Sequence, residues 1–105
     1  MALSPQLQQQ LPAIQATLAR HPVRRAWIFG SCARGEDREE SDVDFLVQYD
    51  RSLKEHFSLM DIGGLWYDLH ELLGRDIDLV EDGYLLPYAV ESANHDKIPI
   101  YERTA

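Results

Sequence analysis

Asp42, Val43 and Asp44 set two carboxylates two residues apart, just ahead of the apolar run Phe45-Leu46-Val47. In an extended chain, side chains two apart share a face, with Cα atoms roughly 6.6 Å apart at about 3.3 Å per residue. Such a pair can reach a shared pair of hard cations. The apolar run places the acids at one end of a buried strand, where adjacent carboxylates repel and a divalent metal is the usual remedy. Alone, the pattern is common at solvated strand ends. Gly30-Ser31, directly after Ala26-Trp27-Ile28-Phe29, narrows the reading. Glycine allows close approach of a phosphate where a strand turns into a helix, and the free N–H groups of a helix N-terminus favour an anion. Ser31 adds a hydroxyl that serves as a phosphate donor or as a helix cap.

A second acidic alternation, Asp76-Ile77-Asp78-Leu79-Val80, offers a third carboxylate. Asp76 and Asp78 share a face, so periodicity does not choose between them. Three acids beside a phosphate-binding turn suit in-line attack on the α-phosphorus of a nucleoside triphosphate. One metal would activate the acceptor oxygen, and the other would hold the triphosphate and the leaving pyrophosphate. Catalysis of this kind rests on positioning and electrostatics.

The elements that must position these residues follow from local signals. Ser4-Pro5 reads as an N-cap and first helical residue, and Leu7, Leu11, Ile14 and Leu18 recur at helical spacing, predicting a helix over about 5–20. His21-Pro22 stops it. Ala26–Phe29 reads as a strand buried on both faces, followed by a short helix that Ser31 caps and Gly35 ends. A charged loop, 36–40, leads to a strand over 42–49. Ile62, Leu65, Trp66, Leu69, Leu72 and Leu73 stripe the clearest helix, with Gly74 as its stop. The pair Gly63-Gly64 is expected to bend its first half or delay its start. A strand over 76–80, a helix over 84–94 and a short strand over 98–101 complete an alternating order. The expectation is one α+β domain spanning 1–105, a mixed sheet of three to four strands with helices packed on it.

The 105 residues carry 18 acidic groups against ten Lys and Arg, a formal charge of −8. That charge disfavours direct binding to a nucleic-acid backbone. It suits solubility, a metal–nucleotide complex or a basic protein partner. No run approaches the roughly 20 apolar residues of a membrane span, and the Gln-rich start lacks a signal peptide's pattern. The single Cys32 cannot form an internal disulfide, so a cytoplasmic protein is expected. Cys32 reads as a small packing residue. Trp27 and Trp66 read as core, while Tyr84, Tyr88 and Tyr101 are candidates for a partner-facing surface. Arg34 reads either as a triphosphate contact or as a loop pin paired with a nearby acid such as Asp42 or Asp44. Arg38, Lys54 and Arg75 read as candidate phosphate contacts or, more simply, as solvated surface charges. His21, His56, His70 and His95 show no zinc-ligand spacing.

The stretch from Phe29 to Val47, FGSCARGEDREESDVDFLV, resembles the signature of the DNA-polymerase-β-like nucleotidyltransferases, and especially their small stand-alone members, the minimal nucleotidyltransferases. Gly30, Ser31, Asp42 and Asp44 match the motif, as do Ala33-Arg34-Gly35 and Ser41. The resemblance covers about 23–102. It implies that the third acid is Asp78, in Ile77-Asp78-Leu79-Val80, and that Asp42, Asp44 and Asp78 hold two Mg²⁺ ions while Gly30, Ser31 and Arg34 bind the nucleotide. It further implies a partnership with a HEPN ribonuclease toxin, neutralised by transfer of AMP from ATP to one of its tyrosine hydroxyls. Two other functions stay open: an antitoxin that acts by binding alone, and a nucleotidyltransferase acting on a small molecule.

Overall fold

A computed structural model describes residues 3–36, 38, 41–53, 56–83 and 95–104. The first helix, α1 (Pro5–Ala19), begins as its signals require: the Ser4 hydroxyl accepts from the Leu7 N–H at 3.4 Å, and Pro5 occupies the first turn. Leu7, Ile14 and Leu18 are fully buried along one stripe. A second helix of the same length, α3 (Leu59–Leu73), starts where the Asp61 carboxylate accepts from the Ser58 N–H at 2.8 Å and stops at Gly74 in the left-handed conformation, φ 64°. Gly63 and Gly64 neither delay it nor break it. Capping at Ser58 and burial of Leu65, Leu69 and Leu73 outweigh a helix-propensity cost of about 1 kcal/mol per glycine.

Four strands form one mixed sheet: β1 (Val23–Phe29), β2 (Val43–Tyr49), β3 (Ile77–Glu81) and β4 (Ile98–Glu102), in the spatial order β3-β2-β1-β4. The β1–β2 and β1–β4 pairs are antiparallel, and β2–β3 is parallel. Between β1 and β2 lies α2 (Ser31–Arg34), a single turn of helix. β1 is three residues longer at its start than the apolar run suggested. It is also not buried on both faces. Ala26 and Ile28 are fully enclosed, whereas Trp27 and Phe29 on the other face are half-buried. On β2, Val43, Phe45 and Val47 enter the core shared with α1 and α3, so Asp44 falls on the opposite face, where Leu46 is also buried. The predicted mixed α+β architecture is the one observed. The helix expected over 84–94 lies outside the described residues.

Candidate active site

The chain direction fixes the site. Antiparallel pairing sets Phe29, the last residue of β1, opposite Asp44, and parallel pairing sets Asp44 level with Asp78 on β3. Asp42 lies one residue before β2. The end of β1 and the starts of β2 and β3 therefore meet at one edge of the sheet, bringing Gly30, Asp42, Asp44 and Asp78 together. Asp76 precedes β3, and its carbonyl accepts from the Val43 N–H at 2.9 Å, helping to fix the register that puts Asp78 beside Asp44.

Gly30 occupies the N-cap position of α2 with φ 71° and ψ −151°, a conformation costly for other residues. A Cβ there would run into the Asp44 carboxylate. Two demands thus converge on one glycine, a left-handed turn and close contact with an acid. Ser31 is the first helical residue rather than the cap, a correction to the sequence reading, and its carbonyl accepts from the Glu36 N–H at 2.9 Å. Its partly exposed side chain stays beside the turn.

Asp44 carries the electrostatic signature of the site. Burial pushes its carboxyl up to about 6, the charges of Asp78 and then Asp42 push the same way, and Arg34 pulls against them. Two neighbouring carboxylates around a half-buried third form an acidic donor set short of positive charge, which fits a divalent cation. Among the described residues, no three His, Cys, Asp or Glu side chains are grouped closely enough to hold a metal ion by themselves. Mg²⁺ does not require such a group, since it is commonly held by one or two carboxylates with waters and substrate phosphates completing the shell.

Arg34 does not pair with Asp42 or Asp44. Its Nε donates to Glu36 at 2.8 Å and one terminal nitrogen donates to Asp96 at 2.7 Å. Asp96 comes from the segment entering β4, which lies beside β1, so no local pattern in the sequence linked the two. Arg75, by sequence a candidate phosphate contact or a surface charge, has a buried role that sequence reasoning missed. Only 6% exposed, it donates to the carbonyls of Ser41 (3.0 Å) and Arg38 (2.8 Å) and approaches Cys32 Sγ at 3.8 Å. It fastens the loop before Asp42. Its one sequence signal was its position between the helix stop Gly74 and the strand. Cys32 is fully buried, and its thiol lies 3.4 Å from the Asp42 carbonyl, as expected of a packing residue.

The sequence matches the model of the polymerase β nucleotidyltransferase family over residues 13–104. The chain belongs to that family. A protein of Methanocaldococcus jannaschii, provisionally named a protein adenylyltransferase, is 46% identical over 60% of this chain and 63% of its own length. The aligned stretch thus spans less than two thirds of that relative. A solved structure provisionally described as a minimal nucleotidyltransferase superposes with a TM-score of 0.74 at 37% identity, covering 94% of this chain and 96% of that one. The fold also matches, with a TM-score of 0.64 at 16% identity, a chain from a complex described as a tri-AMPylated Shewanella oneidensis HEPN toxin with its MNT antitoxin. That match covers 91% of this chain and 72% of the other.

Proposed function

We propose that this chain is a Mg²⁺-dependent protein adenylyltransferase of the cytoplasm that transfers AMP from ATP to a tyrosine hydroxyl of a HEPN toxin and thereby neutralises it. The observation that carries the reading is Asp44, raised to about 6 between Asp42 and Asp78 and in contact with the Gly30 turn. The relative's name and the AMPylated HEPN complex support this choice of donor and acceptor. The family match over 13–104 supports treating 1–105 as one minimal nucleotidyltransferase domain. The charge of −8 supports a protein acceptor rather than a nucleic acid, and no helix among the described residues is long and apolar enough to cross a membrane.

Gly30 and Ser31 would receive the triphosphate, with Arg34 close enough to Asp44 to influence its charge. Asp42, Asp44 and Asp78 would hold two Mg²⁺ ions, which when bound neutralise the phosphates and the clustered acids. The acceptor oxygen forms a bond to the α-phosphorus as the bond to the pyrophosphate oxygen breaks. The hydroxyl proton passes to a site carboxylate, for which Asp78 is suited by its exposure. The products are an AMP phosphodiester on the tyrosine and pyrophosphate.

The test is the intact mass of a HEPN toxin, co-expressed with this chain as its candidate partner, after incubation with ATP and Mg²⁺. An AMP adduct is expected, and the double variant Asp42→Asn, Asp44→Asn should lose it while keeping its circular dichroism spectrum. Neutralisation of the toxin with no adduct would replace this reading with an antitoxin that acts by binding.

A further inference from the structure

Trp66 was expected in the core, yet it is 38% exposed and belongs to a second apolar face of α3. The inner face buries Leu65, Leu69 and Leu73. The outer face shows Leu59 (80% exposed), Met60 (85%), Trp66 and Tyr67 (57%), positions that recur at helical spacing. Isolated surface hydrophobics are ordinary, but a contiguous set on one helix face marks a contact surface. Gly63 lies at its centre, and a Cβ there would meet nothing within 4 Å. The result is a hollow of about 340 Å³ lined by Leu59, Ile62, Gly63, Trp66 and the start of β3, including Asp78. Trp66 is held in place from both sides. Its Nε1 donates to the Ile77 carbonyl on the edge strand at 2.9 Å, and its ring stacks on His70 at 4.9 Å.

We infer that this hollow docks the protein acceptor, through an apolar segment flanked by basic side chains, and delivers its hydroxyl to the site. The inference rests on the proposed transfer to a protein. Two observations select this occupant. The hollow is continuous with the site, because Asp78 lines it and stands level with Asp44. Its border carries acid rather than base: among the described residues that line it none is Lys or Arg, Asp78 is one of them, and exposed Asp76 immediately precedes the lining strand. An anchor pocket with an indole wall and a charged margin is the anatomy of an energetic centre in protein recognition.

Two variants test it outside the catalytic groups. The double change Leu59→Glu, Met60→Glu repels an apolar segment. Gly63→Leu fills the hollow while improving helix propensity, so its fold is protected. Both should raise the KM for the HEPN acceptor at least tenfold, with kcat within about twofold and ATP affinity unchanged by titration calorimetry. Hydrogen exchange over 59–67 should slow when the wild-type chain meets the acceptor. Wild-type kinetics in both variants, with no protection of 59–67, would overturn the docking site while leaving the transfer reaction standing. No transfer by the wild type would overturn the reaction itself. If sedimentation finds a wild-type dimer that the double variant splits without altering the acceptor KM, the face belongs to a second copy and the inference fails.

Discussion

Asp44 is a residue that the fold keeps at a cost. Its side chain ionises near 3.8 when free and at about 6 here, so the folded chain holds the proton more tightly than the unfolded one. The penalty is therefore absent below about pH 3.8, grows as the pH rises to about 6, and is constant above. Asp44→Asn removes it. Discounted for the partial exposure of the side chain, the gain at pH 7 without divalent metal should be about 1–2 kcal/mol in urea unfolding. At pH 4 most of the gain should be lost, because the folded wild-type carboxyl is then largely protonated. AMP transfer should fall by about three orders of magnitude at either pH where it is measurable. A variant equally stable to wild type at pH 7 would show that burial and the neighbouring acids do not strain this carboxyl. Stability gained by deleting a functional acid is the expected trade at a strained site. This residue was legible in sequence because spacing alone pairs Asp42 with Asp44 on a strand. Asp78 was not separable from Asp76 by period. The register that sets it beside Asp44 belongs to the pairing of two strands more than thirty residues apart.

At the level of elements, the signals that worked were local ones: Ser4-Pro5 and Gly74 bounded their helices within a residue. What failed were judgements about the environment of long side chains. Arg75 looks like a surface cation in any window, but its planar head spans the loop carbonyls of Arg38 and Ser41, and two separate segments must fold before that opening exists. Trp66 fits the apolar stripe of α3 by period, yet its indole N–H needs an acceptor, and the Ile77 carbonyl at the sheet edge draws it outward. Arg75→Lys tests the loop pin. An ammonium cannot reproduce the two-armed contact, so about 1–3 kcal/mol of stability should be lost. Because Asp42 directly follows the pinned Ser41, kcat should fall at least tenfold, with ATP KM changing less. Arg20→Lys, at an exposed position, is the control and should change neither quantity. Full activity in the Arg75 variant would make the pin a matter of stability alone.

The whole molecule combines a net charge of −8 with an acid cluster at one end of a mixed sheet. A chain so charged disfavours bringing three carboxylates together, and the apolar contacts of α1 and α3 with the opposite sheet face hold that arrangement. The same architecture predicts how ligands alter stability. Mg²⁺ with a non-hydrolysable ATP analogue binds only where the end of β1 and the starts of β2 and β3 are assembled, so it stabilises the folded state selectively. At one hundred times Kd the gain is about 2.7 kcal/mol. In a domain of this size that raises the thermal midpoint by about 10 °C or more. Either component alone should give less, since the metal relieves the acids and the phosphates complete its shell. The Asp42→Asn, Asp44→Asn variant should begin with the higher midpoint in metal-free buffer and gain little from the pair, so the two melting curves should converge or cross as ligand is added. Parallel shifts in both proteins, followed by differential scanning fluorimetry, would locate the nucleotide away from this sheet edge and detach the acids from its binding.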